Sequence, residues 1–378
     1  MPDHANTLLI IGNGFDLECG LPTSFEEFNK KRKKTQIYID LIEFVKGTQK
    51  DLNKILNTHK NLIVQKGFSI FEFYLIAKNL SGKEKWFQIE KFLYNSFTIK
   101  RFSDIAATTK FTLWEKVFDS LGHYKKGFMI NVDRNDLSSI LAFYIYNYSK
   151  TFDLTYIKDN KTWNQFLLSE LNIFENLYCA YLKESIDNTD YNIKANDLFE
   201  KLVPEKFRMN TNILSFNYTY ANIVEKDFYD NVHGKYFNSD VIIGIDIKDI
   251  NQETNEYIFT KTYRKVRNLI AKTSKIESKA IVDSVEQIIF YGHSLNEQDY
   301  SCFQSIFDYY DIYHSNIKII FKYKIFDQDK EKEIIDYLTD SIYLLFELYG
   351  RTFDNIKIGK NLFYKLINEQ RLVLDRIY

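Results

Sequence analysis

The chain has 378 residues, with Lys and Arg totalling 50, Asp and Glu 51, and a formal net charge of −1. That length allows two domains, or one core with a large insertion, and can bury a core that needs no metal or disulfide staple. The balanced charge argues against a surface wholly given to nucleic acid. Three scattered cysteines, Cys19, Cys179 and Cys302, form neither a disulfide framework nor a C-x-x-C metal or redox pair.

Residues 1–6 lack the basic and apolar regions of a signal peptide, and no apolar run approaches the ~20 residues of a membrane span, so the expected compartment is the cytosol. Abundant Phe, Tyr, Ile, Lys and Asn beside only 3 prolines fit AT-rich codon usage, and no aromatic cofactor box is read into them. The first element, Thr7-Leu8-Leu9-Ile10-Ile11, is a short apolar run ending in a Gly-rich turn, as a buried strand of an α/β sheet would. Ser24-Phe25-Glu26-Glu27 reads as a capping box, with Ser24 as N-cap of a helix that ends near the basic run 30–34. That run is a phosphate-binding candidate, but a solvated helix end accounts for it more simply.

From there to about Met209 the pattern is mostly helical, with apolar residues at helical spacing in 86–93 and 164–182. Strand-like runs follow at 212–216, 241–243, 287–291 and 316–321, with helical patterns at 297–313 and 329–348. Strands alternating with helices imply an α/β fold, a parallel sheet with helices on both faces. The expected division is a discontinuous core of residues 1–24 and 209–326, a helical insertion at 25–208, and a C-terminal helical segment at 327–378 packing on the core.

Four motifs fall at turns. Gly12-Asn13-Gly14-Phe15-Asp16, continuing to Gly20-Leu21-Pro22-Thr23-Ser24, follows the first strand. Its glycines let backbone approach a phosphate at a helix N-terminus, although a tight strand–helix turn needs glycine as well. It is neither the dehydrogenase fingerprint, since Leu17 stands where the third Gly would be, nor a P-loop. Ser215-Phe216-Asn217-Tyr218-Thr219 puts an Asn at a strand end, able to bond ribose hydroxyls or a water, or simply to cap a helix. Val232-His233-Gly234 offers a general base or a structural histidine. Gly292-His293-Ser294-Leu295-Asn296-Glu297-Gln298-Asp299-Tyr300 is a strand end entering a helix, suited to a second phosphate or ribose contact or to capping alone.

In order and spacing these motifs resemble the sirtuin-type NAD-binding core, which implies a sirtuin-like, Rossmann-type sheet. In wording, G-N-G-F-D-L-x-x-G-L-P-T-S, F-N-Y-T, V-H-G and G-H-S-L-N-E-Q-D-Y are similar to the AbiH family, associated with abortive infection of bacteria by phage. Residues 86–93 also resemble that family's W-x-x-x-E-x-x-L motif. The resemblance implies a bacterial cytoplasmic protein with NAD, as substrate or ligand, held by Gly12, Asn13, Gly14, Phe15, Gly20, Pro22, Gly292, His293, Ser294 and Asp299. Gly12 and Gly14 would approach the phosphates, Asn217 the nicotinamide ribose and its water, and Ser294 the adenosine half, with His233 as ribose-hydroxyl base. Asp16 stands where the sirtuin motif has Ser, making it a ribose ligand or a catalytic group.

Asn217, His233 and Asp16 are therefore the expected catalytic set, with Asp246 and Asp299 as other candidate carboxylates and no metal expected. The expected activity is an NAD glycohydrolase releasing nicotinamide and ADP-ribose, awakened by a phage-derived trigger. The alternatives are a module that senses NAD or ADP-ribose without cleaving it, and a nuclease built on Asp240 and Asp246-Ile247-Lys248. A serine hydrolase lacks its G-x-S-x-G elbow. Deacetylation is disfavoured, because sirtuin deacetylases carry a zinc module on four cysteines and this chain has three, none paired. Neither a membrane nor a nucleic-acid partner is signalled, and self-association is an expectation of class only.

Overall fold

A computed structural model describes residues 6–46, 51–77, 89–90, 121–123, 137–187, 189–223, 228–246, 256–271 and 280–378. The chain divides into two units, one of residues 1–23, 182–240 and 272–378, the other of 24–181 and 241–271. The motif at 86–93 lies outside the described residues except for Ile89 and Glu90.

In the first unit the apolar runs become strands β1 (Thr7–Ile11), β2 (Thr211–Ser215), β3 (Tyr229–Asn231), β4 (Gln287–Tyr291), β5 (Lys318–Tyr323) and β6 (Leu372–Arg376). They form one sheet in the order β3-β2-β1-β4-β5-β6, and every pairing is parallel. Residues of β1, β2 and β4 are buried throughout, as expected of parallel strands covered on both faces.

Side chains alternate across the sheet and separate two cores. Leu8, Ile10, Ile288, Phe290, Ile319 and Phe321 face one core. Leu9, Ile11, Ile213, Ile289 and Tyr291 face the other. Helices α1 (Asn13–Glu18) and α2 (Tyr191–Leu202) cover the second core through Phe15, Ala195, Leu198 and Leu202. Helices α3 (Tyr300–Tyr309), α4 (Glu331–Gly350) and α5 (Ile356–Asn368) cover the first through Phe303, Phe307, Phe346 and Leu362.

Three elements differ from the sequence expectation. Residues 241–243 are buried but make no strand, and only Ile245 pairs, in an isolated bridge to Thr260 within the second unit. A short apolar run does not distinguish a ladder strand from a packed extended segment. Tyr229–Asn231 takes the edge position instead, three mostly polar residues with no apolar signature. The C-terminal segment is not wholly helical, since it ends in β6, and residues 182–208 cluster with the sheet.

The second unit is helical, with Phe25–Arg32 opening on Ser24, whose Oγ accepts from Glu27 N at 3.2 Å, as the capping pattern predicts. Phe28 packs edge-on against Phe174, Tyr178 and Tyr181. Of the basic run, Lys30 is solvated, whereas Arg32 turns inward to a two-point pair with buried Glu72. Glu175 of Asn160–Asp187 accepts from Ile243 N and holds Arg264 of Lys261–Ala271 at 2.6 and 2.5 Å.

Candidate functional site

The register of the sheet brings the four motifs level. Ile11 pairs with Ser215 and with Tyr291, and Ser215 pairs with Asn231. The next residue on each strand is Gly12, Phe216, Val232 or Gly292, and the one after is Asn13, Asn217, His233 or His293. Four polar side chains named from sequence therefore leave the carboxyl edge at one height. The sheet's order reverses between β1 and β4, where open α/β sheets form their ligand crevice.

Glycine at 12 and 14 is demanded by close packing with the β4 turn. A Cβ on Gly12 would lie 2.6 Å from His293 Cα, and one on Gly14 2.7 Å from Gly292 Cα. Gly12 N–H donates to Tyr291 O at 3.0 Å and Gly14 N–H to Gly292 O at 2.7 Å, so both amides are engaged within the protein. Asn13 Oδ1 accepts from Thr23 Oγ1 at 2.6 Å, Phe15 is fully buried, and Gly20 takes φ +78 where α1 turns back toward Pro22.

Asn217 is 4% exposed, and its Nδ2 donates to Gly12 O at 3.1 Å. Its Oδ1 is buried with no hydrogen-bond partner, as is Asn231 Oδ1. Asn231 Nδ2 braces the loop by donating to the carbonyls of Asn217 and Thr219 at 2.8 and 2.6 Å.

Asp16 lies inside the unit, with Oδ1 accepting from Tyr191 Oη and Oδ2 from Thr219 Oγ1, each at 2.6 Å. Burial pushes its carboxyl up to about 6, and the bonds from Thr219, Tyr191 and Asn217 oppose that rise without cancelling it. Tyr191 and Thr219 were not singled out from the sequence. Thr219 stands in the F-N-Y-T motif, but Tyr191 is 175 positions from Asp16 and has no local signal.

His233 Nε2 lies 2.8 Å from Asp299 Oδ1, and His293 Nε2 lies 3.4 Å from Asp299 Oδ2. Ser294 contributes its carbonyl, which accepts from Tyr337 Oη at 3.4 Å. Beside Gly14, Gly292 and His293 a cavity of about 180 Å³ opens, walled also by Tyr323, Phe326 and Tyr337. The other carboxylates lie elsewhere. Asp240 Oδ1 accepts from Lys235 N in the first unit, Asp246 belongs to the second, and Ile247 and Lys248 are outside the described residues.

A parallel sheet of this order, with Asn, His and Asp gathered past its carboxyl edge, defines a doubly wound α/β protein whose candidate site sits at the reversal of strand order. The chain belongs to the bacteriophage abortive infection AbiH family, whose model matches residues 8–323. Membership assigns it a role in abortive infection by phage, and α4, α5 and β6 lie beyond the matched residues. No curated protein and no solved structure matches the chain. Among the described residues, no helix is long and apolar enough to cross a membrane.

Proposed function

We propose that the protein hydrolyses the N-glycosidic bond of NAD when triggered by phage, releasing nicotinamide and ADP-ribose. The observation that carries this reading is the orphaned Oδ1 of Asn217, buried beyond the carboxyl edge of the sheet and level with His233. A buried acceptor without a partner is costly. A ribose hydroxyl would supply the missing donor. The motif order shared with sirtuin-type NAD sites supports the same ligand.

The chemistry asks little of the protein beyond orientation and charge. The C1′–N bond breaks with its electron pair passing to nicotinamide, which neutralises the pyridinium charge. A water oxygen then bonds to C1′ and releases a proton, so one water is consumed and one proton appears. Asn217 orients ribose and water, and His233 takes the proton. The glycines at 12 and 14 act sterically, by letting the two turns lie close beneath the ribose.

A second reading is a nucleotide sensor without turnover, favoured by how closed the residues are, with Asn217 4% and His233 6% exposed. One assay separates them. Purified protein is incubated with NAD, with and without lysate of phage-infected cells, and nicotinamide and ADP-ribose are measured beside calorimetric binding. Products that vanish in Asn217→Ala and His233→Ala support the hydrolase, and stoichiometric binding without product supports the sensor. Neither binding nor product under any trigger removes both.

A further inference from the structure

Asp299 stands between two imidazoles, one on each carboxylate oxygen, at 2.8 Å from His233 Nε2 and 3.4 Å from His293 Nε2. The three side chains are 13%, 8% and 6% exposed, in the order Asp299, His233, His293. The ring of Phe216 meets both imidazoles edge-to-face, with centroids 5.6 and 4.6 Å away, and holds their spacing.

The backbone settles which nitrogen of His293 carries the proton. Leu295 N–H donates to His293 Nδ1 at 2.9 Å, so Nδ1 presents its lone pair and the proton sits on Nε2, toward Asp299. Leu295 reaches that position by adopting φ 54 while buried, a conformation rare for a bulky residue. Backbone strain of this kind persists only where the surroundings over-determine it, and it gathers at working sites. For His233 the argument is shorter. An ionised carboxylate only accepts, so at 2.8 Å the proton belongs on Nε2 and Nδ1 is the basic nitrogen.

We propose that Asp299 is the positioning carboxylate of the site, holding His233 and His293 both as Nε2–H tautomers, so that His233 acts as base through Nδ1. Asp16, with both oxygens bonded inside the unit, is not that group. The role as base rests on the proposed hydrolase. The tautomers do not.

The test uses the full chain with isotope-labelled histidine, whose six histidines are few enough to assign by single His→Gln variants. Long-range nitrogen–proton spectra at pH 8 are expected to show both His233 and His293 as Nε2–H. Asp299→Asn presents an amide that can donate to Nε2, which moves His233 toward the Nδ1–H tautomer. It also lowers nicotinamide release by about 10²-fold, the lower end of general acid–base effects. Asp299→Glu restores the wild-type tautomer and part of the rate. A wild-type His233 with its proton on Nδ1 overturns the proposal, as does full turnover in Asp299→Asn. If the wild type releases no nicotinamide under any trigger, the hydrolase fails and the spectra still decide the role of Asp299. If Asp299→Asn does not fold by circular dichroism, the wild-type and Asp299→Glu spectra decide it.

Discussion

The amide of Gly14 donates to the carbonyl of Gly292 at 2.7 Å, joining the turn after β1 to the turn after β4 backbone to backbone. The bond is short because neither residue has a Cβ. A methyl on Gly14 would lie 2.7 Å from Gly292 Cα, and one on Gly292 2.5 Å from Phe15 N, where φ +69 adds strain. Gly14→Ala and Gly292→Ala are each expected to cost on the order of 2–3 kcal/mol. Gly122→Ala, at a position where an added methyl meets nothing within 4 Å among the described residues, is the control and should stay within about 0.5 kcal/mol. Urea midpoints compare the three, and two neutral site variants would refute the packing account.

Asp16 gives the fold a pH dependence whose sign is fixed by burial. The unfolded chain ionises at 3.8 and the folded chain at about 6, so between those values the folded state binds more protons. Stability from this group is complete below 3.8, falls as pH rises, and is gone above about 6. At about 1.4 kcal/mol per pH decade the span is on the order of 3 kcal/mol. Asp16→Asn should flatten that stretch of the curve. Glu170, lifted by burial from 4.5 to about 7, makes a second and higher window that Glu170→Gln should remove. Stability curves from pH 3 to 8 that are unchanged in both variants would contradict the assignment.

Tyr191 matters most when Asp16 is charged. Its hydroxyl donates to Asp16 Oδ1 at 2.6 Å, a bond to an ionised acceptor above about pH 6 and to a protonated one below. Tyr191→Phe is expected to cost about 1.5–3 kcal/mol at pH 8, and clearly less at pH 4.5. In an Asp16→Asn background the difference between the two pH values should disappear. A cost independent of pH would mean that packing of the ring, not the hydroxyl, carries the effect.

In the second unit, Arg264 is held between Glu175, Asn172 and the carbonyl of Ile243. Burial pushes the Glu175 carboxyl up, and the Arg264 guanidinium opposes that rise without cancelling it. Arg264→Met leaves the carboxylate uncompensated and should cost about 3–5 kcal/mol, of which Arg264→Met with Glu175→Leu recovers most. Thermal melts of the two variants check this. Equal losses would show that the residues do not act as a pair.

Legibility in the sequence followed locality. Apolar runs marked β1, β2, β4 and β5, and the glycine, asparagine and histidine turns marked where β1, β2 and β4 would end. The register aligning those turns is tertiary, yet it follows once the strands are parallel and neighbours. The partners of Asp16 were hidden for the opposite reason. Tyr191 reaches it from a helix 175 positions away, and a tyrosine on the buried face of a helix looks like any core residue. Strand β3 was hidden because an edge of three residues needs only backbone pairing, which leaves no mark in Tyr229-Asp230-Asn231. Residues 241–243 carried the mark of a strand because burial, not pairing, selects apolar side chains.

The position of β1 in the sheet also sets how late in synthesis the sheet can assemble. This strand is made first, but its neighbours begin at Thr211 and Gln287. The 204 positions from Thr7 to Thr211 (211 − 7) take roughly 10–40 s to translate at ordinary rates. Throughout that interval the strand has no partner, and Asp299, the last side chain of the site, is made later still. A nascent or truncated chain that stops short of β4 can fold helices but cannot assemble the site. The order of segments along the gene thus works as a delay, holding back the joined turns of the candidate site until β4 and Asp299 have been made.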